Sequence, residues 1–196
     1  MPFGGTSMTK EGALPYAEML LESPIGASLS MEDCQALAPL FKETGFKDGD
    51  CIFEEGALGN GLYLICSGSV RIDKKTKNDV YGEIAELKEG DIFGELSLVN
   101  ELPRSSRVTM AKTGKLAHLS LEEFSKLKDE NLLLHTKLVR TLGALACRRL
   151  SSTTLQVVKL LYKVETAEGD LAELSKRLAE TKKGMFVFAH DLMFGV

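Results

Sequence analysis

Hydrophobic and polar positions follow a helical period near both ends of the chain and a shorter, strand-like rhythm between them. The pattern predicts a short helix around Pro15–Glu22. Leu29–Phe41 carries apolar residues at helical spacing, and it predicts a second helix with Ser30 as N-cap and Asp33 three residues later. Residues 1–12 are polar and glycine-rich without a period, so we expect a disordered leader there.

From Gly45 to about Ala117, short apolar runs alternate with Gly, Asn and Asp turns at the spacing of an antiparallel sandwich or barrel. Glycines separate these runs, and they predict tight turns with positive φ. The glycines are Gly45, Gly49, Gly56, Gly59, Gly61, Gly68 and Gly90. The candidate strands are Thr44–Lys47, Cys51–Phe53, Gly61–Ser67, Ser69–Asp73, Val80–Leu87, Asp91–Phe93, Arg107–Ala111 and Gly114–Ser120.

After Ser120 the pattern becomes helical again, with Glu122 and Glu123 in the first turn of a short helix. A long helix then begins near Asn131. Its apolar positions fit a heptad repeat and favour a parallel two-stranded coiled coil, although Leu132–Leu142 also fits packing on the chain's own barrel. The a positions are Gly143, Leu150, Val157, Val164, Leu171 and Leu178, and the d positions are Val139, Ala146, Thr153, Leu160, Ala167 and Leu174.

Two features leave the end of this helix open. Gly169 and Asp170 match a helix end followed by a new capped helix. Met185–Val196 is apolar, and it either folds back on the chain or docks on a partner. We predict a mainly β fold with flanking helices: a barrel domain over 13–130, of antiparallel jelly-roll type, a dimerisation helix over 131–183 and an apolar tail over 184–196.

Composition narrows the function classes. The chain has 196 residues and a formal net charge of −4, which does not favour a nucleic-acid surface. No apolar run reaches the roughly 20 residues of a membrane span, and no secretory signal precedes the first helix. The four cysteines are scattered and the three histidines isolated, so we expect a cytoplasmic protein without a metal, a cofactor or a catalytic triad.

The stretch with the most specific chemistry is Gly90–Val108, GDIFGELSLVNELPRSSRV. Gly94 allows a close backbone approach, and the turn after it points amide groups at an anion. Glu95 can accept a hydrogen bond from a sugar hydroxyl. Arg104 offers a bidentate fork to phosphate oxygens, and Ser105 adds a hydroxyl and an amide. Together they suit a sugar bearing a singly charged phosphodiester.

FGELSLVNELPRSSRV resembles the phosphate-binding cassette of the cyclic-nucleotide-binding domain family. The upstream FKDGDCIFEEGALGNGLYLICSGSVRI is similar to the first strands of that family, and the resemblance covers about Leu29–Lys163. Arg107 is a departure, because the family often has a small or aromatic residue there. If Arg107 points outward it matters little, whereas inward it would crowd the base or add a second cation.

The resemblance implies a site for a cyclic nucleotide. Ribose and phosphate contacts fall on Gly94, Glu95 and Leu96, and phosphate contacts also on Arg104 and Ser105. The complete candidate set is Ile84, Leu87, Phe93, Gly94, Glu95, Leu96, Ser97, Arg104, Ser105, Ser106, Thr153 and Thr154, with Ile84 and Leu87 as an apolar wall around the base.

RRLSSTT over 148–154 is similar to the dimerisation helix of the catabolite activator branch, in which two hydroxyl residues contact the adenine of cAMP. Thr153 and Thr154 match them, which favours cAMP while leaving cGMP open. After Val164 no basic recognition helix follows, so we expect no DNA binding.

The sequence therefore predicts a homodimeric sensor that relays its ligand state to a partner protein. A regulatory fragment of a larger transcription factor or kinase system, and a scaffold that dimerises without ligand, are the alternatives.

Overall fold

A computed structural model describes residues 14–76, 78–100 and 103–194. The predicted leader at 1–12 lies outside these residues. The chain divides into two compact units; the first ends at Cys147 and the second begins at Arg148. The first unit contains every strand of the described residues and the shorter helices. The second consists of the later part of one long helix.

Two helices precede the strands, as the sequence predicts. Helix α1 covers Leu14–Glu22 and helix α2 covers Met31–Leu37, with short 3-10 turns at Gly26–Ser28 and Ala38–Leu40. Ser30 and Asp33 form a reciprocal capping box at the start of α2. Asp33 also pairs with Lys137 Nζ at 2.8 Å, which ties α2 to a later helix.

In the described part of the chain, six strands form one antiparallel sheet in the order β1-β6-β3-β4, with β2 on β6 and β5 on β3. The sheet has the jelly-roll pattern that the sequence predicts, but it is open rather than a closed barrel. Its strands are β1 Lys42–Phe46, β2 Cys51–Phe53, β3 Gly61–Lys75, β4 Tyr81–Lys88, β5 Ile92–Phe93 and β6 Arg107–Ser120.

Two pairs of predicted strands are continuous in the structure. The predicted strands over 61–67 and 69–73 form β3, and those over 107–111 and 114–120 form β6. Two glycines lie where β3 and β6 come close to each other. Gly68 has φ of 84° in β3, and the register with β6 shifts on both sides of it. A Cβ on Gly114 of β6 would lie 2.1 Å from the Ser67 carbonyl oxygen. Gly45 and Gly59 were wrongly predicted as positive-φ turn residues, since neither has a positive φ and Gly45 lies within β1.

The buried apolar residues form two clusters. One lies within the sheet and is formed by Tyr63, Ile65, Val70, Phe93, Val108, Met110 and Leu116. The second joins the other face of the sheet to the helices and includes Leu20, Leu37, Phe41, Leu119, Phe124, Leu134, Leu138 and Leu142. The helices therefore pack on the sheet through a continuous apolar core.

Three more helices follow within the residues that the structure describes. Helix α3 covers Leu96–Asn100, helix α4 covers Leu121–Glu130 with Ser120 as N-cap, and helix α5 covers Leu132–Phe194. Helix α5 continues through Gly169 and Asp170, so the predicted interruption is absent. It also includes most of the apolar tail. Among the described residues, no helix is long and apolar enough to cross a membrane.

Candidate ligand-binding site

The centre of the candidate site is Arg104, between α3 and β6. Its side chain comes from the loop that precedes Arg107, and the residue is only 5% exposed. Backbone bonds fix this loop to the segment between β2 and β3. The Arg104 amide donates to the Ala57 carbonyl at 2.8 Å, and the Gly56 amide donates to the Arg104 carbonyl at 2.8 Å.

Four neutral oxygens accept hydrogen bonds from the guanidinium. Nη1 donates to the Gly94 carbonyl at 2.9 Å and to Ser97 Oγ at 3.0 Å. Nη2 donates to Asn60 Oδ1 at 2.7 Å and to the Gly61 carbonyl at 2.9 Å. Nε is buried, with no hydrogen-bond partner in the described part of the chain. The protein thus holds the fork in one orientation with partners that carry no charge.

Aromatic rings form one side of this arrangement. The Arg104 guanidinium lies 4.1 Å from the centre of the Phe53 ring, within the range of a cation–π contact. Tyr63 and Phe93 are cross-strand partners in β3 and β5, and their rings stack with centroids 5.2 Å apart. These rings exclude water from the cation, and burial lowers the pKa of the Arg104 guanidinium from its ordinary value.

Glu95 and Gly94 lie directly before α3. Glu95 is 5% exposed, and its negative charge favours the charged form of Arg104 and partly offsets the effect of burial on the pKa. Gly94 has φ of 78°, and a Cβ there would lie 2.5 Å from Arg104 Nη1. Only glycine fits this position without moving the guanidinium.

A neutral histidine lies beneath the same group of rings. His118 of β6 stacks on Tyr63 with centroids 4.4 Å apart. Burial, and after it the positive charge of Arg104, lower the pKa of His118 to about 4. At neutral pH the site therefore contains one cation, Arg104, rather than two adjacent ones.

Arg107 points away from the sheet cluster, which decides between the two orientations left open by the sequence. Val108 and Met110 belong to the cluster, and Arg107 lies on the opposite face of β6. There Nη2 pairs with Asp73 Oδ2 at 3.1 Å, and the guanidinium lies 3.7 Å from the centre of the Tyr81 ring. Arg107 is therefore neither a second cation in the site nor an obstacle to a base.

The remaining predicted residues differ in exposure. Phe93 is buried in the sheet cluster and Ser97 is buried beside Arg104, whereas Ser105 is exposed and Ser106 is half-buried. Leu87 packs against the sheet cluster, but Ile84 is 62% exposed on β4 and lies outside that cluster. Leu96 is 41% exposed on α3.

Thr153 and Thr154 belong to the second unit, and both are exposed. Their hydroxyls donate to the carbonyl oxygens of Arg149 and Leu150, at 2.9 and 3.0 Å. Their part in ligand contact stays a prediction.

The sequence did not identify Asn60, Gly61, Phe53 or Tyr63 as part of this site. They precede Arg104 by more than 40 residues and hold its guanidinium through a side-chain amide, a carbonyl and two rings. The Asn60–Gly61 pair at the start of β3 is the one local signal, because such a pair marks a turn that can present oxygens. The described residues hold no cluster of side chains suited to a metal ion.

Comparison with known proteins gives a consistent result. Residues 43–131 match the family model described as the cyclic nucleotide-binding domain. The cAMP-dependent protein kinase regulatory subunit of Yarrowia lipolytica is 35% identical over 112 residues, which are 57% of this chain and 29% of that protein. The chain thus spans less than a third of this relative's length.

Two solved structures share the fold. The catabolite activator protein of Thermus thermophilus has a TM-score of 0.62 and 31% identity, over 70% of this chain and 63% of that one. A cyclic nucleotide-binding domain from Methylobacillus flagellatus has a TM-score of 0.68 and 25% identity, over 81% of this chain and 87% of that one.

Proposed function

Because residues 43–131 match the cyclic nucleotide-binding domain family, we propose that this chain is a cAMP sensor whose phosphate site is built on Arg104. One observation carries the proposal. A guanidinium that is 5% exposed has four neutral oxygen partners, and a buried cation is best compensated by an anion. A cyclic phosphodiester supplies one negative charge and two oxygens for its fork.

Glu95 completes the recognition of the sugar. It is buried in the same cassette as Arg104, and a carboxylate accepts the hydrogen bond of a ribose 2′-hydroxyl. The choice of cAMP rests on the name of the kinase regulatory relative and on the proposed adenine contacts of Thr153 and Thr154. The ligand cGMP is the alternative.

Helix α5 supports a homodimer. Its second unit exposes apolar side chains that recur at the a and d positions of a heptad repeat, which is the pattern of two helices pairing along one stripe. These exposed residues are Leu150, Val157, Leu160, Val164, Leu171, Leu174 and Leu178. A second copy of the helix would cover them. Contiguous apolar surface of this kind marks an interaction site.

The relay to a partner protein is a shift between two arrangements of the cassette, since a ligand shifts an equilibrium only when it binds the two states unequally. A relative matched by sequence is named a regulatory subunit, which favours a regulatory role without catalysis. We place that role in the cytoplasm, as the sequence predicts. A regulatory part of a larger transcription factor or kinase system remains the second candidate, because the relatives it matches extend beyond the matched region.

Isothermal titration calorimetry of the full chain tests the ligand. We expect micromolar or tighter binding of cAMP, weaker binding of cGMP, and no binding of 5′-AMP, which lacks the cyclic diester. No heat with either cyclic nucleotide, at protein concentrations well above that range, would overturn the proposal. Glu95→Gln should weaken cAMP binding and leave 2′-deoxy-cAMP unaffected relative to the unsubstituted chain, which isolates the contact with the 2′-hydroxyl.

A further inference from the structure

The second unit begins with two arginines, a leucine and four hydroxyl residues, RRLSSTT over 148–154. Arg148 and all residues over 150–180 are exposed, and Arg149 is half-buried. The proposed ligand site uses the two threonines of this run. The serines, Ser151 and Ser152, have no part in that site or in the apolar stripe.

The spacing of charge before Ser151 is specific. Arg148 and Arg149 lie three and two residues before it, with Leu150 between them and the serine. Protein kinases select substrates largely by patterns of charge around the acceptor, and two guanidinium groups at these positions suit a cleft lined with carboxylates. We propose that Ser151 is a phosphorylation site for a serine/threonine kinase that selects arginine at the third and second positions before the acceptor.

The helix around Ser151 is well suited to local opening, which a kinase needs in order to bind the segment in extended form. Serine and threonine have lower helix propensity than alanine, and here four of them are consecutive. The hydroxyls of Thr153 and Thr154 donate to the carbonyls four residues earlier, a contact that weakens and bends helices. Within one chain no buried side chain holds residues 150–154 in place, so opening there breaks helical bonds and, in the proposed dimer, the local seam contacts of Leu150 and Thr153.

Ser151 also lies off the proposed dimer seam. In the heptad register Leu150 and Thr153 take the a and d positions, and Ser151 takes b. A second copy would therefore cover Leu150 and leave the Ser151 hydroxyl exposed. This step rests on the proposed dimer, whereas the charge pattern and the local opening do not.

The reaction is an ordinary phosphoryl transfer from ATP. Ser151 Oγ bonds to the γ-phosphorus, the bond from that phosphorus to the bridging oxygen breaks, and ADP leaves. The hydroxyl proton passes to the base of the kinase. The product carries about two negative charges beside Arg148, which lies one turn earlier on the helix and can pair with the phosphate. Phosphorylation would thus cancel the positive charge of this segment.

The test incubates the purified full chain with MgATP and a purified kinase of this arginine-directed class, without cyclic nucleotide. We expect one phosphate per chain by intact mass, placed on Ser151 by fragmentation. Ser151→Ala should abolish it, and Arg148→Gln with Arg149→Gln should lower the initial rate at least tenfold. Ser175 is the internal control, because it is exposed on the same helix but follows Glu173 instead of arginines.

Three outcomes would overturn the proposal: no incorporation, equal incorporation in Ser151→Ala, or a phosphate on another hydroxyl of the unsubstituted chain. A helix-stabilised variant, Thr153→Ala with Thr154→Ala, tests the opening step. Its higher helix propensity should slow phosphorylation about two- to fivefold, and an unchanged rate would refute that step. Ligand binding is measured separately by calorimetry, so failure here is distinct from failure of the cAMP proposal.

Discussion

Replacing Arg104 with alanine should remove most of the stabilisation that cAMP gives to the folded protein. The guanidinium is the buried cation of the candidate site, and both of its NH2 groups already point at oxygens. A phosphodiester that takes one charge-assisted bond from each NH2 group would gain about 1.5–3 kcal/mol per bond. Loss of both bonds therefore costs at least about 3 kcal/mol of binding free energy, or roughly a hundredfold in affinity.

This loss of binding free energy can be measured as a smaller ligand-induced rise in the melting temperature. With free cAMP at about 100 times its dissociation constant, binding stabilises the native state by about 2.7 kcal/mol. For a unit of this size that corresponds to a rise of about 5–11 °C. In Arg104→Ala the same cAMP concentration only equals the dissociation constant, so the stabilisation falls to about 0.4 kcal/mol and the rise to about 1 °C.

Differential scanning calorimetry with and without cAMP measures both values, each against the variant's own ligand-free baseline. Arg107→Ala is the matched control, because Arg107 pairs with Asp73 on the opposite face of β6. It should keep the full ligand-induced rise even if its baseline falls. A full rise in Arg104→Ala would refute the assignment of Arg104 to the phosphate, and loss of the rise in both variants would show that the effect is not specific to the site.

Three further predictions concern the site and the helix. Because the pKa of His118 is lowered to about 4, the unfolded chain takes up a proton below pH 6.5 that the folded chain resists. The free energy of unfolding should fall by about 3 kcal/mol from pH 6.5 to 4, and it should fall less in His118→Gln. If chemical denaturation gave the same pH dependence for both proteins, this prediction would be wrong. Gly94→Ala should weaken cAMP binding at least tenfold by calorimetry, since its Cβ would displace Arg104, and unchanged affinity would exclude that clash. Leu160→Glu should give monomers by sedimentation velocity while Lys159→Glu, off the stripe, stays dimeric; a dimer in both would remove the stripe as the interface.

The order of the elements could be predicted from local pattern, because the runs of apolar residues between turn residues lie in strands close to the predicted bounds, apart from two pairs of runs that merge. The two merged strands show the limit of that reasoning. Gly68 was interpreted as a turn residue and Gly114 as the start of a new strand, yet both let β3 and β6 pass closely at a register shift. A glycine that serves a turn and a glycine that serves a close approach have the same sequence pattern.

The chemistry of the cassette was equally local. Glu95 and Arg104 lie within ten residues of each other, and their side chains alone suit a sugar and a phosphate. The groups that hold Arg104 were not local, because Asn60 and Gly61 reach it only after β3 pairs with β5 and β6. Spacing along a sequence carries no information on a contact created by strand pairing.

The contacts of Arg104 also suggest how binding would change the domain. An anion at this site does not meet an unpartnered cation, because both NH2 groups already have neutral acceptors. Its gain comes from replacing such neutral acceptors with oxygens of opposite charge, which attract the guanidinium more strongly. The acceptors lie on two elements: Asn60 and Gly61 at the start of β3, and Gly94 with Ser97 in the cassette. Each exchange therefore releases a bond that ties the guanidinium to β3 or to the cassette. We expect the cassette to shift relative to β3 on binding. The guanidinium has five N–H groups, and four of them already donate to protein oxygens, so it cannot keep all four partners and also donate to two phosphate oxygens.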